Sequence, residues 1–196
     1  MSLGKQAKTL TKPQIDAVLG YLTKTRYPVR DRVIFLLSVK AGLRAKEIAS
    51  LTWEMVTDAE GALVDVISLT DVASKGRGGR VIPINRDLKL ALAALKASVD
   101  KAPRASSYVV TTERAGKTSS FAIVNKFAAW YRALGFSGAS SHSGRRTAIT
   151  NWARKISTVG GSLRDVQMLA GHSALSTTQR YIEGAEEARR RVVEVG

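Results

Sequence analysis

The chain of 196 residues contains no cysteine, which excludes a disulfide framework, a cysteine-ligated zinc or iron-sulfur site and a thiol nucleophile. No segment approaches the ~20 uninterrupted apolar residues of a membrane-spanning helix. The start, Met1 to Leu10, lacks the apolar core of a secretory signal, and Met1 to Gly4 are set aside as an expression remnant. A cytoplasmic setting is the expectation these absences leave. Acidic residues are also few: 16 Asp+Glu stand against 31 Lys+Arg, for a formal charge of +15. With hydrophobic residues at 44% and charged residues at 24%, the composition is that of a folded globular chain with a basic surface. The length is ample for one domain with a buried core.

The position of the charge matters more than its sum. Residues 101–155 hold ten basic groups and one acid, Glu113, and so carry nine of the fifteen excess charges. Trp130, Tyr131 and Trp152 lie in the same stretch. A local basic excess with aromatic residues is the electrostatic footprint of a polyanion partner.

Hydrophobic periodicity predicts mostly helices. Thr11, Pro13 and Gln14 form a capping-box pattern that opens a helix through Ile15, Val18, Leu19 and Leu22, and Pro28 interrupts it. Further helices are expected from about Arg30 to a Gly42 stop, from Ala45 through Leu51, and from an Asn85 cap through Val99. Leu63 to Leu69 and Arg80 to Ile84 read as two strands of one hairpin with the basic tip Lys75-Gly-Arg-Gly-Gly-Arg80. Helices are then expected at about 119–134, 144–156, 162–170, 176–182 and 185–193. The fold class is mainly α with a small antiparallel β-sheet, and neither an internal repeat nor a low-complexity segment is present.

Chemistry on a polyanion follows one of two routes. Metal-dependent phosphoryl transfer needs convergent carboxylates, and the acids here are scattered among bases. A metal-free route needs fixed cations and a side-chain nucleophile. Both histidines stand in suitable surroundings. His142 lies in Ser140-Ser-His-Ser-Gly-Arg-Arg-Thr147, three residues before Arg145, so the two share one face of a helix start. A phosphate there would also meet unpaired backbone N–H groups. His172 lies in Ala170-Gly-His-Ser173, after an amphipathic helix that Gly171 suits as a stop, and Tyr181 follows nine residues later. Taken singly, each histidine reads equally as a helix cap and Tyr181 as a packing residue.

Taken together, Ala41-Gly-Leu-Arg-Ala-Lys-Glu-Ile48, Lys75 of the hairpin, His142-x-x-Arg145, Gly171-His172 and Tyr181, in that order, resemble the tyrosine recombinases, or phage integrases, over essentially the whole chain from Thr11 onward. The resemblance implies the helical integrase catalytic domain with its small sheet. It implies a catalytic set of Arg44, Lys75, His142, Arg145 and His172 around the nucleophile Tyr181. It also implies double-stranded DNA as partner, a homotetramer on DNA formed from monomers, a directionality factor, and a reaction needing neither ATP nor metal. Arg77, Arg80, Lys117 and Arg146 are expected to contact DNA phosphates.

Two local departures stand out: Gly144 occupies a position where the family usually has leucine, and the interval from Arg145 to His172 is long. Only 43 residues precede Arg44, so a separate DNA-clamping domain is expected to be absent, either because the chain is cut from a longer protein or because it is similar to the short fimbrial-switch recombinases. Alternative readings are a catalytically silent DNA-binding regulator of the same fold and a type IB topoisomerase-like strand passage.

The residue types suit the implied reaction. A free tyrosine has a pKa of about 10, so only about one in a thousand is phenolate at pH 7. By the resemblance, His142 is the general base, Arg44 and Arg145 favour the phenolate and hold the phosphate, His172 donates a hydrogen bond to the same phosphate or orients a clamp arginine, and Lys75 protonates the leaving 5′ oxygen. The C-terminal segment 183–195 carries an apolar helical stripe that serves either its own protomer or a neighbour.

Overall fold

The computed structural model describes residues 7–70, 79–99, 103–113 and 116–181. Two compact units make up the chain, Met1–Ala148 and Ile149–Gly196. In the first, helix α1 (Lys12–Leu22) begins as its sequence requires. Thr11 Oγ1 accepts from the Gln14 N–H at 3.4 Å and Gln14 Oε1 accepts from the Thr11 N–H at 2.9 Å. Pro28 does more than end the preceding segment. It occupies the first position of helix α2 (Pro28–Val39), where its fixed φ suits a helix and its missing N–H has no intrahelical partner to lose.

Helix α2 is the centre of this unit, with Val33, Ile34, Phe35, Leu36, Leu37 and Val39 all buried. An apolar surface on every side requires neighbours on every side. Helices α1, α3 (Ala45–Ser50) and α4 (Arg86–Ala97) pack on it, and α5 (Ser120–Ala133) packs on α1 and α3. Phe127 of α5 meets Phe35 with ring centroids 6.5 Å apart, and Trp130 packs edge-on against Phe127 at 5.3 Å. The buried Asp31 of α2 is matched by Lys126 of α5, 2.9 Å away.

Strands β1 (Val66–Leu69) and β2 (Arg80–Pro83) pair antiparallel, with Ile67 opposite Ile82 and Leu69 opposite Arg80. Ile67, Leu69 and Ile82 are buried, whereas Ser68, Val81 and Pro83 are exposed. The first strand is shorter than expected because Leu63 is drawn into an isolated bridge with Thr57. Arg80 shares the inner face with Ile82, two residues on.

Helix α6 (Ser143–Lys155) runs from the first unit into the second. Its first turn is tied to the chain start, since Thr147 Oγ1 accepts from the Leu10 N–H at 2.7 Å. The second unit has its own small core of Ile149, Ala153, Val166 and Ala170, against which Trp152, Ile156, Leu163 and Tyr181 pack. Its helices are α7 (Leu163–Ala170) and α8 (Leu175–Gln179), so α8 ends earlier than the expected 176–182 and Tyr181 lies just beyond it. The architecture is thus mainly helical with one two-stranded antiparallel sheet. Among the described residues no helix is long and apolar enough to cross a membrane.

Candidate active site

The first group of site residues is built where α2 ends. Gly42, at φ 63°, turns the chain, and the N–H groups of Gly42 and Leu43 donate to the carbonyls of Ser38 and Leu37 at 3.1 and 3.0 Å. Arg44 follows immediately and caps α3. Its own N–H donates to Glu47 Oε2 at 2.8 Å, the reach-back expected of an acid three residues into a helix, and its Nη1 donates to Glu47 Oε1 at 2.9 Å. The Glu47 carboxylate is 1% exposed and also receives Arg80, with Nη1 on Oε1 and Nη2 on Oε2, both at 2.9 Å. Burial pushes the Glu47 carboxyl up, but the hydrogen bonds and charge of Arg80 and then of Arg44 outweigh it and hold it below the usual carboxylate range.

Arg145 joins this group from far along the chain. From the first turn of α6 its Nη1 donates to the Gly42 carbonyl at 2.5 Å, and the residue is only 5% exposed. The Arg145 guanidinium, a hundred residues further along the chain, therefore reaches the connection that carries Arg44. Gly144 makes the approach possible. A Cβ placed there would lie 3.0 Å from Ser38 Cβ and closer still to its Oγ, so the departure from leucine fits the contact with Ser38 of α2. His142 precedes α6 and its carbonyl accepts from the Arg146 N–H at 2.9 Å. Although three residues apart at the helix start, His142 is exposed and Arg145 buried.

The second unit supplies the other candidates. Ser162 opens α7, with its N–H and Oγ donating to Asp165 Oδ2 at 2.7 and 2.8 Å, and these bonds hold the Asp165 carboxyl below its ordinary value. Gly171 closes the helix at φ 61°, a left-handed turn that a side chain would strain, and this places His172 directly after it. Gln167 fastens His172 twice, its carbonyl accepting from the His172 N–H at 3.1 Å and its Nε2 donating to the His172 carbonyl at 2.9 Å. The imidazole is held in turn, with Nδ1 2.9 Å from Oγ1 of the fully buried Thr178 and the ring stacked on Tyr181 at a centroid distance of 5.5 Å and an angle of 23°.

Lys75 and Arg77 lie outside the described residues, as does the expected helix over 185–193. Of the expected DNA contacts, Lys117 is exposed with its ammonium 4.9 Å from the Tyr108 ring, and Arg146 is half-buried in α6. Arg80 is placed differently from a surface phosphate contact, turned inward onto Glu47. Among the described residues no group of three or more His, Asp or Glu side chains is arranged to hold a metal ion. Three further residues support these candidates, each within its own unit: Glu47 in the first, Gln167 and Thr178 in the second. Only Glu47 had a signal in the sequence, as an acid three residues after a helix-capping position.

Comparison with known proteins bears on the family and the fold. The sequence profile of the phage integrase family matches residues 8–188. Among curated relatives, tyrosine recombinase XerA of Thermococcus onnurineus is 30% identical over 95% of this chain and 62% of its own length. Tyrosine recombinase XerC of Chlamydia muridarum is 28% identical over 93% of this chain and 53% of its own. The chain thus spans between about half and two thirds of the length of these relatives. Among solved structures, a XerA recombinase superposes with TM-score 0.72 at 20% identity, covering 94% of this chain and 63% of that one. A XerH site-specific recombinase in a post-cleavage complex with its palindromic difH substrate gives 0.72 at 16%, covering 100% and 55%.

Proposed function

The chain belongs to the phage integrase family, and on that premise we propose that it cuts and rejoins DNA strands as a site-specific recombinase through a covalent bond to Tyr181. The observation that carries this reading is the convergence of Arg145 on the Gly42 carbonyl beside Arg44. Two permanently charged forks, one held on the turn carbonyl and one carried by the residue just after it, suit the two nonbridging oxygens of a phosphodiester, whose charge grows as a fifth oxygen approaches phosphorus. The first turn of α6 adds the positive end of a helix to the same task.

Tyr181 Oη attacks phosphorus in line. A new O–P bond forms, the bond to the 5′ oxygen breaks, and the tyrosine proton passes to a base for which His142 is the candidate. The leaving 5′ oxygen takes a proton from Lys75. His172 donates to the phosphate, its imidazole held for this by Thr178 and its backbone by Gln167. The 3′-phosphotyrosyl product preserves the phosphodiester bond energy, so a 5′ hydroxyl from another strand reverses the step and completes exchange. A full exchange between two duplexes cuts and rejoins four strands, so it takes four copies acting together on double-stranded DNA.

The test is incubation of the full chain in EDTA with a pool of nicked duplexes of randomised core sequence, from which the cleaved fragment diffuses away, followed by denaturing electrophoresis. A protein-DNA adduct is expected, lost in Tyr181→Phe while duplex binding survives. An adduct of equal yield in Tyr181→Phe would overturn the assignment of the nucleophile.

A further inference from the structure

We propose that Arg80 is a positioning residue for Arg44: acting through the buried Glu47, it fixes the phosphate-binding guanidinium and leaves it its positive charge. The inference deepens the recombinase reading and rests on it.

The geometry is that of one anion between two unequal cations. Both oxygens of Glu47 meet Arg80 end-on, one on Nη1 and one on Nη2 at 2.9 Å, a two-toothed fork-to-fork pairing. Arg44 takes the remaining positions, with its backbone N–H at 2.8 Å and a single Nη1 at 2.9 Å. The side chain of Arg80 is 7% exposed and that of Arg44 is 29% exposed. The buried member is therefore paired fully and the open member singly.

This asymmetry has an electrostatic consequence. Arg44 with Glu47 alone would be a neutral pair in a poorly screened setting, and its lowest-energy form is the two-toothed one that Arg80 now occupies. Arg44 would then close onto Glu47 and offer a phosphate little net charge. With Arg80 in place the trio carries one net positive charge, and the more open guanidinium presents it. Arg80 also stands opposite Leu69, at the last register position before residues 71–78, so the same bond ties the sheet to α3.

A plain phosphate contact and a plain structural ion pair make different predictions. Arg80→Met, Arg80→Lys, Glu47→Gln and the double variant Arg80→Met with Glu47→Gln are compared in the full chain, on the nicked duplex pool. Duplex affinity, its salt dependence and the rate of adduct formation are read for each. Arg80→Met is expected to slow adduct formation by about 10²-fold. Because Arg44 then offers its phosphate little net charge, the slope of log K against log salt should drop by about one in Arg80→Met and return in the double variant, where Arg44 regains its charge. Removing the anion as well, in the double variant, should recover at least about tenfold of that rate. Arg80→Lys keeps the charge but not the fork and should fall between.

A salt slope that drops by about one and stays down in the double variant would make Arg80 itself a phosphate contact and overturn the proposal. A double variant that is folded but no faster than Arg80→Met would also overturn it. Where Arg80→Met does not fold, the double variant, which buries no unpaired charge, is the test: within about tenfold of the unaltered rate supports the proposal, and a loss beyond about 10²-fold refutes it. Where the unaltered chain forms no adduct, the recombinase reading fails by itself. The nitrogen-15 guanidinium resonance of Arg44 then decides the coupling, because it should shift in Arg80→Met and return in the double variant, and an unmoved resonance refutes it.

Discussion

His172 stands between Thr178, at 2.9 Å from Nδ1, and the ring of Tyr181. Thr178→Val keeps the shape of a fully buried side chain and removes its hydroxyl. The imidazole then loses a fixed orientation, and adduct formation is expected to slow by between about tenfold and 10²-fold, since small misplacements of a reacting group cost rates of that order. Thr178→Ser, which keeps the hydroxyl, should restore most of the rate. Duplex affinity should be unaffected in both. The two variants are distinguished by single-turnover adduct kinetics, and equal loss in both would assign Thr178 to packing alone. Neither Thr178 nor Gln167 was legible beforehand. A polar residue on a short helix has no periodic signal, and its partner is chosen by tertiary placement. Glu47 was more accessible to reasoning, because three residues after Arg44 is where an acid completes a helix start.

At the scale of elements, most helices could be read from caps and periodicity. Thr11 with Gln14, Asn85 at the start of α4 and Gly171 at the end of α7 fall where their chemistry requires. Pro28 was the ambiguous signal, since a proline that breaks one helix is equally suited to begin the next, and it begins α2. Arg80 was open to a simple parity argument. Arg80, Val81 and Ile82 alternate faces, so an inward Ile82 carries Arg80 inward, and a basic hairpin tip obscured that step. Gly144 shows what a sequence alone does not: its absent side chain matters only because Ser38 of α2 lies against it. Ser38 Oγ is buried with no hydrogen-bond partner among the described residues, so the contact is one of close packing. Gly144→Ala is expected to destabilise the chain by about 1–3 kcal/mol through overpacking. In a Ser38→Ala background, where the nearest atom is gone, the loss should be smaller. Urea denaturation of the four chains measures the difference, and equal losses in both backgrounds would remove Ser38 from the explanation.

Over the whole molecule, the charge of +15 proves to be unevenly employed. Part of it is held inside the fold, where Arg44 and Arg80 share Glu47, Lys126 meets Asp31, and Arg145 donates to a backbone carbonyl. Composition locates a basic stretch at 101–155 but does not say which cations are committed internally, and burial makes that distinction. Lys117 is exposed, whereas Lys126 is half-buried and paired with Asp31. The ordered motif was legible because each element carries a residue type with its own spacing. The support behind that motif was not, because it is made by contacts between distant segments.

The central claim is that Tyr181 becomes linked to a 3′ phosphate. It is tested most directly by trypsin digestion of the trapped adduct and mass spectrometry of the nucleotide-bearing peptide. Cleavage after Arg180 and Arg189 gives a peptide beginning at Tyr181, and that peptide is predicted to carry the DNA through a 3′ phosphate on the tyrosine. Nucleotide on any other peptide, or a linkage through a 5′ phosphate, would contradict the account.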